Sequence, residues 1–218
     1  ILDPAAQTRM AYVVTTATGD RKLAEFSRIA CADTKLQPND LKQHLFAQAS
    51  VLHFGSISLI ESPAAEATKK AVELARASKL LVSYDPNVRI SLWPSKETCK
   101  QTILNTLNWA DVVKINEDEL EFLTGSRDFA AADALRAEHD LPMLIITLDS
   151  RGCYFATKEG GKQVPGFQVE LVEATGAGDG FNSGVIAGLL PYIKNAPDRR
   201  EALLALDHAK LSEIVRSA

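Results

Sequence analysis

Cysteine is scarce in this 218-residue chain, and Cys31, Cys99 and Cys153 stand far apart and odd in number, with no C-x-x-C pair among them. No disulfide framework is expected, and a reducing cytosol is the default compartment. The four histidines, His44, His53, His139 and His208, show no metal-ligand spacing. No apolar run approaches the ~20 residues that a membrane span needs, and the opening residues carry no signal-peptide pattern. A net charge of -4 leaves no basic stripe, so nucleic acid is not an expected partner. A small anionic substrate would need local positive groups, because the overall field does not attract it. Internal repeats, low-complexity tracts and Pro/Gly/Ser linkers are absent as well. What is present is ordinary globular composition, 46% hydrophobic and 24% charged. The length suits one large domain, or one with a small appendage. The chain opens on Ile1-Leu2-Asp3, which reads like interior sequence, so preceding residues are expected.

Residues 10–28 read as two short extended runs about a turn at Gly19-Asp20, the pattern of a hairpin. Pro38-Asn39-Asp40 is a helix-start signal, with Leu41, Leu45 and Phe46 as the apolar face. A βα rhythm follows. Strands are expected at 50–54, 80–84, 111–115 and 143–148, separated by helices over 62–78, 95–108, 117–123 and 128–139. Ser62-Pro63 and Ser95 supply N-terminal signals for two of these helices. Two further extended segments, 153–157 and 163–172, precede helices at about 178–190 and 198–215. Alternation of this kind implies a parallel sheet covered on both faces. Ligands then bind beyond the carboxyl ends of the strands, which gathers Gly55, Asp85, Asn116 and Asp149 at one edge.

The most informative stretch is Glu173-Ala174-Thr175-Gly176-Ala177-Gly178-Asp179-Gly180, between an extended run and an apolar helix. Small residues at 176–178 let peptide N–H groups approach a ligand, and a helix N-terminus adds partial positive charge. Together these make an anion site. A carboxylate there repels phosphate unless it has a task, and accepting the proton of an attacking hydroxyl is the obvious one. A plain tight turn with Asp179 as a helix-start residue is the competing reading. A dinucleotide site fits poorly, because the glycines at 176, 178 and 180 are not in G-x-G-x-x-G order, and a P-loop is absent.

The loop resembles the C-terminal signature of the PfkB (ribokinase-like) carbohydrate kinases, D-T-T-G-A-G-D. Three other segments agree in order. Asp85-Pro86-Asn87-Val88-Arg89-Ile90-Ser91-Leu92-Trp93 is similar to the D-P-N-x-R-x-x-L-W stretch of fructokinases. Asn116-Glu117-Asp118-Glu119 matches N-x-x-E, and Thr147-Leu148-Asp149-Ser150-Arg151-Gly152 matches the T-L-G-x-x-G nucleotide turn. The resemblance implies a three-layer α/β/α sandwich with a mostly parallel sheet and a partial β lid. Residues 1–30 would belong to the lid. Residues 31–218 would be the kinase domain, lacking its N-terminal strands and C-terminal tail. The implied reaction moves the ATP γ-phosphoryl group to a sugar hydroxyl, with fructose foremost. 2-Keto-3-deoxygluconate, ribose or a nucleoside is the alternative acceptor, and a catalytically silent binding subunit the alternative role. A homodimer through the lid and a cytoplasmic location are part of the same expectation.

Carried over residue by residue, Asp179 would be the base, and Gly176, Ala177 and Gly178 the anion hole. Asn116 and Glu119 would act on Mg²⁺ mainly through water. Asn116 could instead cap a helix, and Glu119 could be a solvated helix carboxylate. Lys114, Thr147 and Gly152 would border the nucleotide, with an exposed strand-end lysine as the plainer reading of Lys114. Arg89 would contact the sugar or a phosphate, or form an ion pair. Asp85 and Asn87 are expected to fix their own turn, Trp93 to pack in the core, and His53 to be a satisfied, half-buried histidine. Glu173 and Ala174 replace the Asp and Thr that, with Thr175, serve a monovalent-cation site in relatives, which leaves potassium open. Asp149 stands where relatives commonly have glycine.

Overall fold

The computed structural model describes residues 3–15, 21–26, 31–169 and 176–218. Its first element is an antiparallel hairpin of β1 (Ala11–Thr15) and β2 (Arg21–Phe26), with a register shift at Tyr12/Val13. The hairpin forms a two-stranded sheet of its own. Its expected turn at Gly19-Asp20 lies outside the described residues. Pro38–Asp40 makes a 3₁₀ turn, and the short helix α1 (Gln43–Gln48) follows it. The apolar face expected there is only partly used: Phe46 packs against the core, whereas Leu45 is 54% exposed.

The remaining strands build one six-stranded sheet in chain order. They are β3 (Val51–Gly55), β4 (Leu81–Asp85), β5 (Val112–Asn116), β6 (Met143–Thr147), β7 (Cys153–Thr157) and β8 (Gly160–Val164). β3 to β6 pair in parallel through α2 (Ala64–Ala77), α3 (Lys96–Thr106), α4 (Glu117–Thr124) and α5 (Phe129–Glu138). β7 and β8 are antiparallel additions. The reason is the connection: Leu148–Gly152 is too short for a crossover, and Asp149 (φ 51°) and Gly152 (φ 91°) both adopt left-handed backbone that reverses the chain. The extended run expected to 172 stops as a strand at Val164, where Pro165 withholds a ladder N–H and Gly166 abuts Gly152. Residues 170–172 lie outside the described residues.

Side-chain alternation divides the core in two. Val82, Tyr84, Val113, Ile115, Leu144 and Ile146 face α2 to α5. Their neighbours Leu81, Val112, Met143 and Ile145 face α6 (Ala177–Ile193), α7 (Arg199–Leu204) and α8 (His208–Ser217). Burial on both faces explains why these strands read as continuous apolar runs. The single helix expected over 198–215 is two, because Asp207 accepts from the Lys210 N–H and starts α8 afresh.

One carboxylate fastens the layers at the amino end of β5. Asp111 is fully buried and accepts from Arg76 of α2 (2.6 and 2.8 Å), Arg200 of α7 (2.6 Å) and the Val82 N–H (2.7 Å). It thus joins a helix on each face to the sheet between them. Removing one member of such a buried set leaves uncompensated charge. We expect Asp111→Ala to cost on the order of 3 kcal/mol, read as a fall in Tm of roughly 6–12 °C. An unchanged unfolding midpoint would show that the two arginines are satisfied without it.

Candidate active site

The parallel register aligns the carboxyl ends of the strands: Gly55 pairs with Asp85, and Asn116 with Thr147. On the face toward α6 the apolar residues give way to polar ones at this edge. Period two carries Val51 to His53, Leu81 to Ser83 and Asp85, Val112 to Lys114 and Asn116, and Ile145 to Thr147. The amino end of α6 lies over this polar rim. Gly176 caps the helix with φ 82°, a left-handed conformation that suits glycine, and Asp179 is an exposed first-turn residue.

Two clefts meet at the start of α6. Ala177 and Gly178 line one of them, together with Thr147, Asp149, Gly152, Phe167 and Arg216. Asp179 lines the other with His53, Ser56, Asp85 and Asn87. Cys153 borders the first cleft, but burial pushes its thiol up to about 11, which leaves no thiolate nucleophile near neutral pH. A side chain at Gly152 would bring its Cβ to 2.1 Å from the Val164 carbonyl oxygen, so the turn closes only with glycine.

Beneath the helix start is a buried polar set that sequence reading under-described. Asp85 does fix its own turn, accepting from the Asn87 N–H at 3.0 Å. Its other oxygen accepts from Lys114 Nζ at 3.0 Å and from Asn182 Nδ2 at 2.6 Å. All three residues are buried. Lys114 is therefore not an exposed strand-end lysine. The signal that could have found it is the alternation in β5, which turns residue 114 toward α6. Nothing local ties Asp85 to Asn182, 97 positions away.

His53 keeps solvent access at the wall of the second cleft, and its Nδ1 is paired with Ser83 Oγ at 3.0 Å. Desolvation is the largest influence on its ring and lowers the pKa, while the Asp85 and Asp179 carboxylates oppose the shift. Ser56 Oγ, on the same cleft, is buried with no hydrogen-bond partner among the described residues. Trp93 packs in the core as expected.

Asn116 and Glu119 form a reciprocal capping box at the start of α4. Asn116 Oδ1 accepts from the Glu119 N–H (2.8 Å), and Glu119 accepts from the Asn116 N–H (2.9 Å). Glu119 also accepts from the Val88 N–H at 2.7 Å and is 6% exposed, so it is no solvated helix carboxylate. Arg89 lines a third cleft with these two residues, and its guanidinium donates to the Val88 carbonyl. It is not among the residues that share a cleft with Asp179. Among the described residues, no group of three or more His, Cys, Asp or Glu side chains could hold a metal ion. With each Glu119 oxygen already accepting a peptide N–H, Asn116 and Glu119 suit a cation held through water rather than directly. Glu173, Ala174 and Thr175, which bear on the monovalent-cation question, lie outside the described residues.

Burial is the largest influence on Glu119 and raises its pKa, while the Val88 and Asn116 N–H groups act against the rise. A raised folded value favours the protonated form in the native state. The contribution to stability is therefore fully present below the ordinary glutamate value of 4.5 and is lost as pH rises through the folded value. Denaturant unfolding of Glu119→Gln across pH should show a flatter profile above that point. An unchanged profile would mean that Glu119 does not titrate in the fold.

The chain matches the model of the pfkB family carbohydrate kinases over residues 1–216. It is 40% identical over 215 residues to Fructokinase-2 of Solanum habrochaites, covering 98% of this chain and 62% of that protein. It thus spans less than two thirds of the length of that relative. Among solved structures, fructokinase from Xylella fastidiosa with bound ATP superposes with a TM-score of 0.85 at 26% identity, covering 98% of this chain and 66% of that one. A fructokinase double mutant from Vibrio cholerae O395, in fructose-, ADP- and potassium-bound form, gives 0.77 at 28% identity, over 98% and 64%. With its α/β/α layers and the glycine-flanked aspartate at the mouth of α6, the chain belongs to the pfkB family of carbohydrate kinases.

Proposed function

We propose that this chain is the larger part of an ATP-dependent kinase that phosphorylates a sugar hydroxyl, with fructose as the sugar. The observation that carries the reading is the position of α6 between two clefts. Its first small residues border one cleft and its first carboxylate borders the other. A nucleotide in the first cleft would direct its terminal phosphate toward the N–H groups of residues 176–178. A sugar in the second would lie beside Asp179. The relatives named fructokinase, and the neighbours with bound ATP, ADP and fructose, support this choice of ligands.

In this mechanism Asp179 accepts the proton of the attacking hydroxyl. The peptide N–H groups at 176–178, at the start of the helix, stabilise charge on the transferred phosphoryl group, helped by the positive end of α6. Thr147 and Gly152 border the nucleotide, and Arg89 reaches an oxygen of one of the bound reactants. The buried Ser56 hydroxyl and the neutral His53 ring offer hydrogen-bonding groups to a polyhydroxylated ligand. Magnesium would be held through water by Asn116 and Glu119 and would supply charge neutralisation at the phosphates. The potassium-bound neighbour supports a monovalent cation as a further activator. Residues 1–30 are proposed as part of a lid that excludes water on closing and provides a homodimer contact. A cytoplasmic location is proposed with them.

Steady-state kinetics of the full-length protein test the assignment. We expect fructose- and ATP-dependent turnover, and Asp179→Asn should lower kcat by roughly 10²–10⁴-fold with KM little changed. Undiminished turnover in the variant would remove Asp179 as the base. Turnover absent from the unmodified protein with every sugar tried would favour a silent family member.

A further inference from the structure

The buried set beneath α6 has a geometry that neither its own turn nor simple charge compensation requires. Asp85 ends β4 and Lys114 lies on the adjacent strand β5, so their 3.0 Å pair spans two neighbouring strands. Asn182 lies one helical turn after Gly178 and donates to the same Asp85 oxygen at 2.6 Å. Residues four apart lie on one face of a helix, so Gly178 and Asn182 both face the sheet. A Cβ on Gly178 would meet Lys114 Nζ at 2.9 Å, so the lysine head lies directly under the peptide at the mouth of the helix. One turn of α6 is thus held at two points. The Asn182 amide is bonded to Asp85, and the ammonium paired with that same carboxylate fills the space that a Gly178 side chain would take.

We propose that Asp85, Lys114 and Asn182 form a positioning unit that locks the first turns of α6 onto the ends of β4 and β5. The unit holds the 176–178 peptide groups and the Asp179 carboxylate in register with each other. None of the three residues needs to touch a reacting atom. They act through the helix start, whose outer side carries Asp179 toward solvent. The unit also accounts for glycine at 178, since any side chain there would displace the lysine head. The catalytic consequence rests on the phosphoryl-transfer reading above; the anchoring does not. Displacing reacting groups by about 1 Å can cost roughly 10²-fold in rate, and loss of the anchor is expected to act on that scale.

Three measurements on the full-length protein decide the matter. Amide hydrogen exchange of Asn182→Ala should show peptides spanning 178–183 exchanging at least about tenfold faster, with α8 unchanged, as expected for a local opening. Protection retained across 178–183 would overturn the anchoring. Kinetics then test its consequence. Lys114→Met and Asn182→Ala should lower kcat by roughly 10²-fold with KM for sugar changed far less. The double variant Asp85→Asn/Lys114→Met removes both charges, so its unfolding midpoint should recover relative to either single change while kcat stays low. Recovery of kcat together with the midpoint would reduce the pair to a structural role and overturn the proposal. If the unmodified protein turns over no sugar, the kinase reading fails. The exchange experiment alone then decides whether the anchor exists.

Discussion

A lysine and an aspartate, both withdrawn from water, meet where two parallel strands end beneath the first turn of α6. The arrangement at this edge depends on that contact. Isolated burial of either charge would be costly, so each residue fixes the other, and the Asn182 amide completes the shell of the shared oxygen. The pair presents no net charge to the cleft. What the cleft meets instead is the unoccupied hydrogen-bonding capacity of a helix start, with a carboxylate one residue beyond. On the proposed reading, the phosphate site and the proton acceptor stay apart only if neither drifts toward the other. A rigid floor is the physical means of ensuring that.

The opposite end of the sheet is built on the same logic with a different purpose. Asp111 gathers two arginines from helices on opposite faces and a strand N–H. No cleft described at the carboxyl edge reaches it, and its partners are structural. The two carboxylates, Asp85 and Asp111, lie at opposite ends of neighbouring strands, one under the candidate site and one at the base. The Asp111 cluster and the candidate site thus occupy opposite edges, in keeping with ligand binding beyond the carboxyl ends of an open parallel sheet.

Much of this was legible in the residues, and the misses have physical causes. The strands are legible because two-sided burial writes continuous apolar runs, and the place of Asp179 in the first turn of α6 is legible from the glycines that precede an apolar helix. The antiparallel turn into β7 was missed because extended runs carry no sign of direction, although the five residues between them limit it. The ladder ends at Val164 because Pro165 withholds a backbone donor, which the apolar residues after it do not signal. Asn116 was readable as a helix cap, but the burial of Glu119 depends on the Val88 N–H, 31 positions away. The link from Asp85 to Asn182 is wholly tertiary. The place of Arg89 beside Asn116 and Glu119 in one cleft is likewise tertiary, because these residues lie on separate strand ends.

The central claim is that the mouth of α6 brings a terminal phosphate and a sugar hydroxyl together across Asp179. A crystal structure of the full-length protein with fructose and a non-hydrolysable ATP analogue tests it most directly. The account expects one fructose hydroxyl within about 2.6–3.2 Å of an Asp179 carboxylate oxygen. It also expects the analogue's terminal phosphate against the N–H groups of residues 176–178. Fructose bound away from Asp179, or a phosphate chain that ends elsewhere than the start of α6, would contradict it.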